Sequence, residues 1–146
     1  MTAIGVGASN PSMWKNVTNP SSSGVEYMAE GQSTHLVKLP DANSVTGVCV
    51  LLGVNGPDQI DDMKQVLNNL HGRYPNVPIF MASTFHVAAH CSGFYYTPPQ
   101  HNSLIDNFNS EMQNFCAQTD WCTYMDMQNG LYDSNGYLKY EYAPDG

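Results

Sequence analysis

The stretch Val45-Thr46-Gly47-Val48-Cys49-Val50-Leu51-Leu52-Gly53-Val54-Asn55-Gly56-Pro57-Asp58 decides the fold that the rest of the chain must fit. Its first eight residues are almost wholly apolar, which predicts a short strand covered on both faces of a parallel sheet. The run from Gly53 to Pro57 ends that strand, because glycine permits a sharp turn and proline cannot donate to a ladder. Asn55 then lies where open α/β sheets build their sites, and its amide could donate to an anion. The same amide could instead bond its own backbone, which is the usual role of a turn asparagine.

A helix and a second strand follow this stretch. Apolar residues recur after Asp58 at the spacing of one helix face: Ile60, Met63, Leu67 and Leu70. The run Val77-Pro78-Ile79-Phe80-Met81-Ala82 is again short and apolar, which predicts another core strand. We therefore expect residues 45–82 to form a strand, helix and strand in one parallel sheet, joined by a right-handed crossover.

The segments on either side extend this pattern. Residues 1–6 predict a strand end, and residues 12–40 predict one or two brief helices. A long loop is expected over residues 83–101, followed by a helix that Asn102 or Ser103 can cap. Residues 121–127 predict a third core strand, and Asn135-Gly136 predicts a tight turn.

Composition limits the class of protein. The chain has 146 residues, enough for one domain with a real core, so we expect a single domain over residues 1–146. Five Lys and Arg stand against thirteen Asp and Glu, a net charge of −8, which disfavours nucleic-acid binding and acidic membrane surfaces. No apolar run approaches the roughly 20 residues of a spanning helix. The low charge, with many Asn, Ser, Gly and Tyr, favours an extracellular or virion-surface protein.

Cysteine and histidine spacing offers three local hypotheses. Cys49 is expected to be a small core residue, and one disulfide could form among Cys91, Cys116 and Cys122 in an oxidising compartment. His86, His90 and Cys91 have a spacing that could bind zinc on a helix, but they lie in a predicted loop. We therefore expect no metal and no other cofactor.

Two further features of the long loop have competing interpretations. Ser83 and His86 could imitate a nucleophile and its base, although a serine and a histidine so close in a loop rarely have the required geometry. The aromatic run Phe94-Tyr95-Tyr96 could line a substrate groove or could simply pack the loop.

The order of these pieces resembles the SGNH (GDSL-type) hydrolases. The resemblance rests on the strand that closes in Gly53-Val54-Asn55-Gly56, the helix with Asn-Phe-Asn at residues 107–109, the strand that ends at Asp126, the run Asp133-Ser134-Asn135-Gly136-Tyr137-Leu138, and the final Pro144-Asp145-Gly146. It implies a three-layer α/β/α domain with a flavodoxin-like parallel sheet. It also implies an esterase or acyl hydrolase.

The resemblance implies site residues one by one. Asn55 matches the oxyanion-hole asparagine of the family, although Gly56 replaces the aspartate that normally follows. The block Gly5-Val6-Gly7-Ala8-Ser9 resembles the glycine block, so Gly7 (or Ala8) would supply a second donor from its backbone N–H. Asp145 matches the triad aspartate. The sequence ends two positions before the expected histidine and lacks the nucleophilic serine, because Ser9 precedes Asn55 by too few residues.

Two functions are therefore expected from the sequence. One is an ester hydrolase for acylated carbohydrates or lipid esters whose serine and histidine come from another segment or chain, so that this chain alone has negligible esterase activity. The alternative is a non-catalytic descendant that binds carbohydrate or serves in an assembly. An incomplete domain would leave strand edges and apolar surface uncovered, which predicts a partner chain or a homo-oligomer.

Overall fold

The computed structural model describes residues 10–21, 25–30 and 33–144, with residues 25–30 and 33–38 described as backbone only. Two strands and a helix come first: α1 (Pro11–Val17), β1 (Val25–Glu30) and β2 (Ser33–Lys38). The second part contains β3 (Val48–Val50), α2 (Ile60–Arg73), β4 (Ile79–Ala82), α3 (Pro98–Ala117) and β5 (Cys122–Met125). Short 3-10 turns lie at Ala42–Ser44 and Tyr140–Tyr142. The predicted strand at residues 1–6 lies outside the described residues.

The central sheet is parallel, with the order β3-β4-β5. Val48 pairs with Ile79, and Ile79 pairs with Cys122. This confirms the predicted strand, helix and strand over residues 45–82 and the third strand after it. The protein is therefore a mixed α/β fold built around a small parallel sheet.

Helices α2 and α3 both contribute to one core on one face of this sheet. Their most buried side chains meet alternate strand residues there: Met63, Leu67, Phe108 and Met112 from the helices, and Ile79, Met81 and Cys122 from the strands. Two right-handed crossovers that step in the same direction across a sheet place both helices on the same face. Trp14 of α1 packs at the margin of the same core.

The opposite face of the sheet differs from the prediction. Cys49 was predicted to be a core residue of a strand covered on both faces, but Cys49 and Thr123 are exposed and Phe80 is half-buried. Strand residues alternate between faces, so the helices that cover Val48 and Val50 leave Cys49 on the other side. The described residues thus form a two-layer arrangement, without the second helical layer of a three-layer domain.

Two other element predictions need correction. The segment at residues 12–40 was expected to hold one or two brief helices; it holds one, α1, and then forms an antiparallel hairpin in which Glu30 pairs with Ser33. Helix α3 begins at Pro98, and its N-cap is Thr97 instead of the predicted Asn102 or Ser103. Thr97 and Gln100 form a capping box. Proline is tolerated in the first turn because the backbone N–H groups there have no acceptor within the helix.

No helix among the described residues is both long enough and apolar enough to cross a membrane. The 20-residue α3 is the longest of them, but it carries polar side chains along much of its length.

A candidate oxyanion turn at the carboxyl end of the parallel sheet

The turn that carries Asn55 is a tight one, formed by residues 53–56 and separated from the end of β3 by two residues. The Gly56 N–H donates to the Gly53 carbonyl at 3.1 Å. Gly53 has a φ of +126°, and a Cβ built there would lie 2.6 Å from the buried ring of Phe108. Glycine is therefore required at position 53 both by the backbone conformation and by the close approach of α3.

Side chains from two other elements hold this turn. The Thr84 hydroxyl, just beyond β4, donates to the Leu52 carbonyl at 2.8 Å. His101, in the first part of α3, lies 2.7 Å through Nε2 from the Val54 carbonyl. A carbonyl can only accept, so Nε2 carries the hydrogen. Thr84 and His101 are 2% and 3% exposed, so buried side chains make both bonds.

Asn55 itself is exposed at the tip of the turn. No described residue forms a hydrogen bond with its side chain. A turn asparagine usually bonds its own backbone, but the Asn55 side chain makes no such bond among the described residues. The amide is available to a ligand on a turn that its neighbours fix in place.

The start of the described chain lies beside this turn. The Ser12 N–H donates to Gln59 Oε1 at 3.0 Å, and a Cβ on Gly56 would lie 2.8 Å from Gln59 Cδ. The Asn10 side chain caps α1 by accepting from the Met13 N–H. The N-terminal end of α1 is therefore linked through Gln59 to Gly56 of the Asn55 turn. Gly7, the predicted second donor, lies outside the described residues.

The segment after β4 is held by two buried asparagines of α3. The Asn109 side chain accepts from the Thr84 N–H at 2.8 Å and donates to the Thr84 carbonyl at 2.9 Å. Asn102, seven residues earlier on the same helix face, accepts from the Val87 N–H at 2.7 Å and donates to its carbonyl at 3.2 Å. Beyond the sheet, the backbone N–H and carbonyl groups of this segment have no neighbouring strand to pair with. The side-chain amides of α3 bond these groups instead, so α3 fixes the course of the segment.

Both ring nitrogens of His86, in this segment, have hydrogen-bond partners. Its Nδ1 lies 2.6 Å from the Gly136 carbonyl and its Nε2 lies 2.7 Å from Asp106 Oδ1, while the ring stacks on Tyr132 at 4.6 Å. Both partners are acceptors, so both contacts are satisfied together only when both ring nitrogens donate. This arrangement leaves no ring nitrogen free to take a proton from a nucleophile.

The structure separates the other residues singled out in this loop. The buried Ser83 hydroxyl oxygen accepts from the Met127 N–H at 2.9 Å, whereas His86 has the different partners described above, so the Ser83–His86 pair does not form. His90 Nε2 lies 2.8 Å from the Ala143 carbonyl. Among the described residues no three His, Cys, Asp or Glu side chains come together as a metal site.

Two tyrosines near the carboxyl end of the sheet have raised pKa values. Burial, reinforced by the nearby Asp126 charge, raises the pKa of Tyr124 to about 12. Burial also raises the pKa of Tyr132, the residue stacked on His86. Both phenols therefore remain protonated at neutral pH, and the Tyr132 hydroxyl oxygen accepts from the His86 N–H at 3.1 Å.

Asp145, the predicted triad aspartate, lies outside the described residues, two positions after Ala143. Sequence reasoning identified Asn55 but missed His101 and Asn102, which hold the loops around it. Their signal was polar side chains on the face of α3 that also carries Ile105, Phe108 and Met112, all of them buried. A polar residue on a buried helix face indicates a hydrogen-bond partner from another element.

Comparison with models of known protein families finds no match for this chain, and comparison with curated proteins finds no related sequence.

Proposed function

We propose that this chain is part of an SGNH-like ester hydrolase, an esterase or deacetylase for acylated carbohydrates or lipid esters, in which Asn55 donates to the oxyanion. The observation that carries the proposal is the exposed Asn55 amide, without a described partner, on a fixed turn at the carboxyl end of a parallel strand. Crevices at this end of parallel strands are the usual ligand sites of open α/β sheets.

The rigidity of the turn supports an oxyanion role. A donor stabilises developing negative charge best when it is aimed in advance and does not have to reorganise during the reaction. Bonds from the buried side chains of Thr84 and His101 hold the carbonyls of Leu52 and Val54, three residues and one residue before Asn55. The free donor is thus carried by a backbone that neighbouring elements restrain.

In the proposed site Gly7 supplies the second donor and Asp145 orients the catalytic histidine. Gly7 precedes the α1 cap residue Asn10 by three residues in the sequence. Asp145 follows by two residues Ala143, whose carbonyl bonds His90. The nucleophilic serine, the histidine and the second helical layer of a three-layer flavodoxin-like domain are proposed to come from outside this sequence.

The test is an NMR titration of ¹⁵N-labelled protein with methylphosphonate, a tetrahedral anion that resembles the oxyanion intermediate. We expect saturable shifts of the Asn55 side-chain amide and the Gly56 backbone amide. With a net charge of −8 the chain does not attract anions in general, so saturation would report local donors. The Asn55→Ala variant identifies the side-chain signal and should abolish the saturable shift.

Asn68 provides the matched control. It is an exposed asparagine on α2 whose side chain bonds no described residue, so Asn68→Ala should bind methylphosphonate like the wild type. If methylphosphonate shifted the side-chain amide signals of Asn55 and Asn68 equally, or shifted neither, the result would contradict the oxyanion role.

The source of the nucleophile is tested separately by hydrolysis of p-nitrophenyl acetate. The wild type and Asn55→Ala are expected to share the same slow rate, because an oxyanion donor acts only after a nucleophile has attacked. Rapid turnover lost in Asn55→Ala would support Asn55 and contradict an external serine and histidine.

A non-catalytic assembly or carbohydrate-binding domain is the second candidate, favoured by the exposed second face of the sheet. Cys49 and Thr123 are exposed there, and Leu51, which continues the same alternation, is 54% exposed. We propose that a partner chain or a second copy covers this face. Sedimentation velocity should then show a concentration-dependent dimer that Leu51→Asp abolishes, and a monomer at all concentrations would count against self-association.

A further inference from the structure

Two cysteines meet in the core beside the end of α3. Cys116 lies in the last turn of α3, and Cys122 is the first residue of β5. Their sulfur atoms are 2.8 Å apart, and the residues are only 3% and 6% exposed. Both side chains belong to the main core, so packing on both elements directs the two sulfurs toward each other.

We propose that Cys116 and Cys122 form an intramolecular disulfide when the protein folds in an oxidising environment. A disulfide has an S–S distance near 2.05 Å, so the sulfurs need to approach by only about 0.8 Å. The proposal concerns the stability of the domain and does not depend on the function of Asn55.

The backbone on both sides of the pair is already fixed. The Thr119 N–H donates to the Cys116 carbonyl at 3.1 Å, which closes the end of the helix. The Ile79 N–H donates to the Trp121 carbonyl at 3.1 Å, which ties the residue before Cys122 to β4. Bond formation therefore asks for a side-chain adjustment and leaves the sheet and helix in place.

The remaining cysteines do not compete for either partner. Cys49 is exposed on the second face of the sheet and Cys91 is half-buried in the loop after β4, and neither has a sulfur contact. All four cysteines belong to the described part of the chain, so the pairing is selected by position among all of them.

The reaction is a thiol–disulfide exchange with a low-molecular-weight disulfide such as oxidised glutathione. The Cys116 thiolate attacks one sulfur of that disulfide, whose S–S bond breaks and releases one thiolate. Cys122 then loses its proton and attacks the mixed disulfide, which forms the protein S–S bond and expels a second thiolate. Two protein thiols are oxidised and one small disulfide is reduced to two thiols.

The titration of the pair supports this order of events. The hydrogen bond from the Cys122 thiol lowers the pKa of Cys116, which favours Cys116 as the attacking thiolate. The same hydrogen bond, together with burial, raises the pKa of Cys122. Because both sulfurs are buried in the native protein, we expect exchange to proceed fastest during refolding.

The experiment is refolding of the reduced chain in a glutathione redox buffer, followed by alkylation and peptide mapping. Cleavage before aspartate separates Cys116 in the peptide 106–119 from Cys122 in the peptide 120–125. We expect these peptides to remain joined until they are reduced, and we expect the unfolding midpoint of the oxidised protein to exceed that of the reduced protein by roughly 5 °C.

The control is the double variant Cys49→Ser and Cys91→Ser, which keeps the pair and should form the same bond. Comparison of oxidised and reduced wild type gives the stability effect without relying on a core substitution. Cys116 and Cys122 both remaining alkylatable after refolding, or either one joined to Cys91, would overturn the proposal.

Discussion

The turn after β3 and the segment after β4 leave adjacent parallel strands at the same edge of the sheet. They differ in whether their polar side chains have hydrogen-bond partners. In the segment at residues 83–87, the Ser83 hydroxyl, the Thr84 hydroxyl and both ring nitrogens of His86 all have protein partners. In the turn at residues 53–56, the backbone is bonded while the Asn55 side chain is left without a described partner.

This difference separates supporting polar groups from an available one. A buried polar group without a partner is costly, so α3 supplies Asn102, Asn109 and His101 to satisfy the loops beneath it. The exposed Asn55 amide can remain free because water solvates it until a ligand arrives. We infer that the segment after β4 is the scaffold and that the turn after β3 is the candidate ligand contact.

The largest effect is expected from Gly53→Ala, which would break the shape of the turn. The new Cβ would meet the Phe108 ring at 2.6 Å, and the φ of +126° is unfavourable for alanine. We expect a loss of about 3 kcal/mol in the free energy of unfolding, measured by urea denaturation.

Gly93→Ala separates the two causes. Gly93 also has a positive φ, +95°, but nothing lies within 4 Å of its added Cβ. This variant should lose only about 1 kcal/mol, the cost of the backbone conformation alone. Equal losses in the two variants would show that the contact with Phe108 does not constrain the turn.

The next largest effect is expected from Asn109→Ala, which would weaken the scaffold. It leaves the buried Thr84 N–H without a partner, whereas the Thr84 carbonyl still accepts from Gln128. We expect a loss of about 2 kcal/mol in the free energy of unfolding.

Asn114→Ala is the matched control for that variant. Asn114 is exposed on the same helix and bonds no described residue, so we expect a change within about 0.5 kcal/mol. If Asn109→Ala were equally mild, water would be replacing the bonds to Thr84, and the assignment of this segment as a rigid scaffold would be wrong.

The smallest effect is expected from His101→Phe, which sharpens the link between the two regions. Phenylalanine keeps a ring beside Phe94 but removes the bond to the Val54 carbonyl. We expect a loss of about 1 kcal/mol in the free energy of unfolding and faster hydrogen exchange at the Gly56 amide, which closes the turn.

His90→Phe is the comparison for that measurement. His90 also bonds a carbonyl, that of Ala143, but its side chain is exposed, so its loss should leave Gly56 exchange unchanged. Unchanged exchange at Gly56 in His101→Phe would contradict the proposal that α3 holds the Asn55 turn.

Several elements could be predicted because their pattern is local. Met63, Leu67 and Leu70 recur with the helical period and are buried in α2, and the apolar run at residues 77–82 contains β4. The prediction of a parallel pair followed from the helix between the two strands. The turn at Asn135-Gly136 was also confirmed, since Gly136 has a φ of +82° and the Asp133 N–H donates to the Tyr137 carbonyl.

Other features failed because the deciding information was missed or is not local. The hairpin formed by residues 25–30 and 33–38 was missed because the short apolar patches of this segment were interpreted as helical. Cys49 was expected in the core because apolar runs do not reveal which face lacks a covering layer. The partners of His86 are 20 and 50 residues away, so its role could not be inferred from its neighbours in the chain.

The sequence by itself determined the helix periods, the strand positions and the glycine-bounded turn that carries Asn55, because these depend on side-chain spacing and on backbone freedom within a few residues. Only the tertiary structure decided which polar groups are available. That depends on which distant donor or acceptor fills each bond, and α3 fills those of Thr84, Val87 and Val54 while leaving the Asn55 side chain without a described partner.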